Sequence, residues 1–314
     1  MIILEFEKPI FELDAKIQEL KNLNTGDLSI IEDVKRLENK RNKMLKGIYS
    51  NLSAWEKVAV ARHQERPHTS EYIKNLIDDF VPLAGDRMFG EDKAIIAGIG
   101  KFKGISVAVV GHEKGSDTDD RIKHNFGMPN PEGYRKVCRI MDLADKFNMP
   151  LITFVDTAGA HPGMGAEERG QAEAIAKCIE RALNFKNPIV TTIIGEGGSG
   201  GAVALAVANA IFMLEHSIYS VISPEGCASI LYRDIAKIKE ATEALRLTAQ
   251  DLESFKLIDG VIEEPLGGAH RDHEAVIKAV GDKIKTVLVE LSRVEDLKKH
   301  RDEKFLNFCR SFRS

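Results

Sequence analysis

Apolar positions near the start of the chain recur at helical spacing. Leu13, Ile17 and Leu20 share one face, and Ile30, Val34 and Leu37 share another. Asn24-Thr25-Gly26 separates the two runs, so they can fold back as a helical hairpin. Ser53-Ala-Trp-Glu56 has the spacing of a capping box and opens a third helix, which Pro67 stops. A fourth helix is predicted over about Ser70 to Phe80. Residues 1–82 carry amphipathic pattern without chemistry and read as a structural or interface arm. The period changes near Ala94: AIIAGIGKF and ISVAVVGH flank Lys103-Gly104 as a β-hairpin. Short apolar runs then alternate with helical ones. PLITFVD (150–156) leads to a glycine-rich turn and a helix over about Glu167 to Leu183. PIVTTII (188–194) leads to a second glycine-rich turn and a small-residue helix, Ala202 to Ala210. The strands IFML and IYSVIS follow, then a helix capped by Ser223-Pro224, and a long amphipathic helix from about Asp272 to Leu297 with a charged tail. Such alternation predicts an α/β core of buried, largely parallel strands over residues 83–314.

Composition narrows the function classes. The chain has 314 residues, 43% hydrophobic and 29% charged, as in ordinary soluble domains. A formal charge of −4, from 44 basic and 48 acidic residues, gives no general pull toward nucleic acid or anionic membrane. Lys35-Arg36 and Lys40-Arg41 read as a solvated helix face. Cys138, Cys178, Cys227 and Cys309 form no CxxC pair, which argues against a zinc ribbon and a disulfide framework and fits a reducing cytoplasm. The opening MIILEFEKPIFELD lacks the basic and apolar regions of a signal peptide. No apolar run is long enough to span a bilayer.

The densest candidate chemistry is Gly195-Glu-Gly-Gly-Ser-Gly-Gly201. Between a buried strand and a helix, such a turn presents free helix N–H groups, and its glycines let an anion approach the backbone. No lysine follows, so it is not a P-loop. Gly195, Gly197 and Gly200 formally satisfy a dinucleotide fingerprint with Glu215 as the ribose acid. Against that reading, the helix is very short and IFML runs almost directly into another strand. Ser199 lacks the spacing of a nucleophile elbow. A second turn, Asp156-Thr-Ala-Gly-Ala-His-Pro-Gly163, ends the preceding strand and can face the same cavity. In it, Asp156 and His161 invite acid–base readings, and loop-shaping is the simpler role for both. Ser223-Pro-Glu-Gly226 reads as a helix cap. Asn125-Phe-Gly-Met-Pro129 and Pro265-Leu-Gly-Gly-Ala-His270 read as loops.

Seven stretches, in order and nearly end to end, resemble the carboxyltransferase alpha subunits of bacterial and plastid acetyl-CoA carboxylase. They are ARHQERPHTSEYI (61–73), NFGMPNPEGYRK (125–136), FVDTAGAHPG (154–163), GAEERGQAEAIA (165–176), IIGEGGSGGA (193–202), YSVISPEGCASIL (219–231) and EPLGGAHRD (264–272). The resemblance implies a crotonase-like spiral of ββα units, with the helical arm at one end and a long C-terminal helix at the other. It implies carboxyl transfer from carboxybiotin to acetyl-CoA, giving malonyl-CoA, the first committed step of fatty acid synthesis. The biotin rides on a separate carrier protein. The partner is a beta subunit, usually in an α2β2 assembly, that holds most of the acetyl-CoA and carries the zinc. A biotin carboxylase subunit uses the ATP. Gly200 and Gly201 match the family's oxyanion-hole glycines, whose amides take the ureido oxygen of biotin. Gly197, Gly198, Ser199, Gly159, His161 and Gly163 are implied in the carboxybiotin pocket. The family commonly carries Tyr where this chain has His161. The alternatives are a carboxyltransferase or decarboxylase chain for another acyl-CoA and, from a different class, a noncatalytic scaffold or nucleic-acid-binding protein.

Overall fold

Strand formation begins earlier than the apolar pattern predicts. In the computed structural model, which describes residues 3–23 and 28–308, the fourth helix ends at Leu76 and Ile77–Pro82 is the first strand, β1. It pairs antiparallel with β2 (Ile95–Phe102). Phe80 covers Gly98, where a Cβ would lie 2.6 Å from its ring. Pro82 is tolerated because β1 is an edge strand. The hairpin between β2 and β3 (Ile105–His112) forms as read. Its two turn residues, Lys103 and Gly104, both have positive φ, as a tight hairpin turn demands.

From β3 the sheet is parallel: β3, β4 (Leu151–Thr157), β5 (Ile189–Gly198), β6 (Ala210–Leu214) and β8 (Gly260–Ile262) lie side by side. The short β7 (Ile218–Ser220) pairs with the far end of β5. β4 and β5 are buried along their whole length. Alternate residues enter two separate cores. Val110, Leu151, Val155 and Ile193 face one core, with α6 (below) supplying Tyr134, Val137, Ile140 and Met141. Val109, Ile152, Phe154 and Val190 face the other, against Tyr72 and Ile73 and the final long helix. This two-sided burial explains why the strands read as continuous apolar runs.

The N-terminal helices are α1 (Lys8–Asn22), α2 (Leu28–Tyr49), α3 (Ala54–Ala61) and α4 (Thr69–Leu76). Ion pairs from Lys21 to Glu38 and Arg41 to Asp14 show that α1 and α2 fold back on each other. Their turn at 24–26 lies outside the described residues, as does Cys309. The Ser53–Glu56 capping box is present at the start of α3. Downstream come α5 (Thr118–Lys123), α6 (Pro131–Lys146), α7 (Met164–Glu168), α8 (Gln171–Leu183), α9 (Ser199–Ala206), α10 (Pro224–Cys227), α11 (Ile238–Leu245), α12 (Ala249–Ser254), α13 (His273–Leu291) and α14 (Leu297–Phe308).

Five further boundaries differ from the sequence reading. The third helix ends at Ala61, short of Pro67. The run 167–183 breaks at Gly170, φ +81°, into α7 and α8. The small-residue helix starts at Ser199 and ends at Ala206, because Ala210 is drawn into β6. The strand IYSVIS keeps only residues 218–220. The last helix stops at Leu291, and the charged tail forms a separate helix, α14. Arg301 holds α14 in place. Fully buried, it donates to the carbonyls of Ala182 and Phe185, both at 2.8 Å, and to Asn209 Oδ1 at 2.7 Å. No described helix is long and apolar enough to cross a membrane.

Candidate functional site

The segment 195–201 is not a free loop. Gly195 to Gly198 extend β5, pairing with Thr157 of β4 on one side and with β7 on the other. Ser199, Gly200 and Gly201 form the first turn of α9. Strand becomes helix with no intervening residues, and Ser199 takes up the change of direction with φ +53°. Left-handed backbone at a non-glycine residue costs ~1–3 kcal/mol and persists only where the surroundings enforce it.

Two glycines are dictated by close backbone approach. A Cβ at Gly198 would fall on the carbonyl of Ala158. A Cβ at Gly201 would lie 2.8 Å from Ala160 N and 3.0 Å from the Tyr134 hydroxyl. The turn after β4 therefore rests directly on the start of α9. Gly200 differs: a Cβ there meets only methyl groups of Ile175, at 3.8 Å.

The first turn of α9 has no side-chain cap, since its N-cap residue is Gly198. The N–H groups of Ser199, Gly200 and Gly201 have no intrahelical acceptor and sit at the positive end of the helix. The other end is braced. Thr153 Oγ1 and Thr191 Oγ1 reach the Leu205 carbonyl at 3.0 and 3.1 Å, and Cys178 Sγ reaches the Ala204 carbonyl at 3.3 Å. Three buried side chains thus occupy carbonyls that a helix this short leaves unpaired. The amides at its start are held rigidly, as electrostatic stabilisation requires.

Ser199 and Gly200 open on a cavity of about 550 Å³ whose lining is mainly apolar. Val203 and Ile179 form its floor with the Tyr219 ring, and Phe305 and Phe308 of α14 complete a wall. Gly197 lies beneath Tyr219. His161 and Gly163 line neither this cavity nor the charged one described below. Instead the His161 ring packs on Gly163. Its backbone joins two loops: the amide donates to the Pro129 carbonyl at 2.9 Å and its carbonyl accepts from Gln171. Gly159 is the member of that turn that reaches Ser199.

Asp156 is buried beneath the strand ends. Lys114 Nζ lies 2.7 Å from its Oδ1, which also accepts the Glu196 amide at 2.9 Å. Burial works against the ionised carboxyl, but Lys114, His68 and the Glu196 amide outweigh it and hold its pKa below the ordinary aspartate value. A committed, ionised carboxylate is a support for the turn rather than a proton shuttle. His112, fully buried against the backbone of Phe154 and Gly201, is driven down to about 3 by burial and is neutral at working pH.

The residues missed from sequence are those that brace the glycines: Tyr134, Thr153, Thr191, Cys178 and Lys114. The available signal was polar residues inside apolar strands, as with the threonines of PLITFVD and PIVTTII. The nucleotide reading also ends here. β6 passes through Glu215–Ser217 straight into β7, and Glu215 accepts the Glu264 amide at 3.1 Å instead of facing a ribose.

The sequence matches the acetyl co-enzyme A carboxylase carboxyltransferase-like family over residues 3–309. It is 56% identical over 314 residues to an acetyl-coenzyme A carboxylase carboxyl transferase subunit alpha from Paramagnetospirillum magneticum, with 99% of each chain covered. It is 57% identical over 312 residues to the protein of that name from Rhizobium rhizogenes, with 98% of each chain covered. Among solved structures, the transcarboxylase 12S core with methylmalonyl-coenzyme A bound matches at TM-score 0.60 and 18% identity over 72% of this chain. This chain spans only 42% of that longer one. The Pseudomonas malonate decarboxylase MdcD-MdcE heterodimer matches at TM-score 0.57 and 15% identity, covering 70% of this chain and 90% of that one. At such identity these structures speak to the fold alone, and that fold is the crotonase-like α/β architecture the sequence implied. On full-length sequence similarity, the chain belongs to the acetyl co-enzyme A carboxylase carboxyltransferase-like family.

Proposed function

We infer that the chain is the alpha subunit of an acetyl-CoA carboxylase carboxyltransferase, moving a carboxyl group from carboxybiotin on a carrier protein to acetyl-CoA. The observation that carries this reading is the uncapped first turn of α9, a helix braced at its far end, opening on an apolar cavity. Breaking the bond between the carboxyl carbon and N1 of biotin leaves the electron pair on the ureido group, and charge builds on its oxygen. The Gly200 and Gly201 amides stabilise that charge, a preorganised donor being worth ~10²–10³ in rate. The freed nitrogen takes a proton from the acetyl methyl group, and the resulting carbanion attacks CO₂ to give malonyl-CoA. No side-chain base on this chain is needed, which suits the ion-paired state of Asp156. Ser199 and the apolar wall hold the bicyclic ring, and Gly159 supports Ser199. His161 and Gly163 shape the adjoining loop.

The rest of the reaction belongs to other chains: a zinc-bearing beta subunit that holds acetyl-CoA, a biotin carrier, and a biotin carboxylase that uses ATP. The α1–α2 hairpin is an interface arm in an α2β2 assembly. Reconstitution tests the reading. The chain mixed with a beta subunit is expected to decarboxylate malonyl-CoA onto biocytin, and the chain alone to be inactive. A pair without activity would overturn the assignment.

His161→Tyr restores the residue common in the family. The ring bears on Gly163 and the loop, so activity of the reconstituted pair is expected to stay within about tenfold, less than ~1.4 kcal/mol in transition-state stabilisation. A collapse in kcat with unchanged melting temperature would give His161 a chemical role.

A further inference from the structure

A second cavity, of about 200 Å³, opens beside the same strand ends and shares no lining residue with the first. Its charged and polar lining includes Arg62, His68, Lys114, Arg121, Asp156 and Glu196. Most of these charges are already committed. Lys114 Nζ lies 2.7 Å from Asp156 and 3.5 Å from Glu196. Arg62 pairs with Glu196 and Glu225, both at 2.7 Å.

Two groups are left over. The half-buried Arg121 has no carboxylate partner among the described residues; its guanidinium stacks on Phe126 at 5.4 Å. The His68 side chain is only 9% exposed, and neither ring nitrogen has a hydrogen-bond partner among the described residues. Its Nδ1 stands 4.0 Å from Asp156 Oδ2, beyond bonding distance. An imidazole carries two polar nitrogens, and leaving both buried and unpaired is costly. The ammonium of Lys114 also has three donor hydrogens for two carboxylate partners.

These features specify the ligand. Arg62 and Lys114 are matched by Glu225, Glu196 and Asp156, and the lone guanidinium of Arg121 calls for a monoanion. The planar fork of arginine matches a planar pair of oxygens. Phe126 and Met128 supply an apolar wall for a short carbon chain. Phe126 is fixed there by consecutive left-handed residues, Asn125 at φ +47°, Phe126 at +55° and Gly127 at +72°. We propose that this cavity binds a small monocarboxylate, its oxygens taken by Arg121 and His68 and its carbon chain lying on Phe126 and Met128. The site is independent of the biotin reading, since its lining excludes Gly200 and Ser199.

The test is calorimetric or saturation-transfer titration of the full chain with acetate, butyrate, bicarbonate and inorganic phosphate. Acetate and butyrate are expected to bind, butyrate more tightly, and phosphate more weakly than either. Arg121→Met should weaken butyrate about tenfold or more, the loss of a charge-assisted bond, with no change in melting temperature. Arg121→Lys should recover part of it. Bicarbonate binding that also depends on Arg121 would support the site, with its order against butyrate reporting the use of the apolar wall. Equal responses of wild type and Arg121→Met, or phosphate binding as tightly as butyrate, would overturn the proposal.

Discussion

Gly200→Val is expected to lower carboxyl transfer by the reconstituted pair by about 10²–10³, the range associated with losing an oxyanion donor, without moving the melting temperature. The two halves of this outcome have separate causes. A Cβ at Gly200 meets only Ile175 methyl groups at 3.8 Å, so the fold accommodates it. A helical Cβ tilts toward the helix N-terminus, so the valine methyls would lie over the first-turn amides. Gly201→Ala is the contrasting variant. Its methyl would press on Ala160 N at 2.8 Å and displace the turn after β4, so stability and activity should fall together. Gly200→Val protein that is folded and fully active would refute the role of these amides.

Glu264→Gln is expected to have the largest effect on stability. Arg66 is buried, with its side chain 2% exposed and that of Glu264 0% exposed. It donates to both Glu264 oxygens, at 2.7 and 2.9 Å, and to the Ile194 carbonyl of β5 at 2.9 Å. Glu264 also accepts the amides of His216 and Ala269. The pair therefore ties the ARHQERPHT segment, the stretch of β5 just before the glycines and the EPLGGAHRD loop to one point. Removing one charge leaves the other buried and uncompensated, a loss of ~3–5 kcal/mol, to be read from urea midpoints.

The pH dependence follows from the same pair. Burial pushes the Glu264 carboxyl up, but Arg66 and the His216 contacts outweigh it and lower its pKa to about 2. A depressed pKa contributes stability that is present above the unfolded value of 4.5 and is lost as pH falls toward about 2. Wild-type stability should therefore decline across that window, and the part due to Glu264 should be absent from the Gln variant. Parallel acid profiles for the two proteins would contradict the account.

Much of the site was legible because it is built from backbone. Glycine at 198 and 201 is required by contact with a neighbouring turn, and glycine clusters at strand ends announce such contact whatever the fold. The braces were not legible. Thr153, Thr191 and Cys178 sit in unremarkable strand and helix positions, and only the placement of α9 across them turns their side chains into acceptors' partners. Helix and strand lengths failed for a related reason. Ile77–Pro82 has no strong local preference, and it becomes strand because β2 offers a free edge and Gly98 a seat for Phe80.

His161 shows the opposite case. Its titratable ring in a glycine-rich turn invited chemistry, yet tertiary packing sets it on Gly163, outside the cavity lined by Gly200. By itself the sequence determined the buried parallel α/β core, the two strand-end turns and the family, because periodicity and ordered motifs are local properties of the chain. The tertiary structure alone decided which amides are free, what braces them, and that α14 closes the cavity wall. Those depend on which distant surfaces meet, and Arg301 reaching Ala182, Phe185 and Asn209 is a contact between segments some ninety or more residues apart.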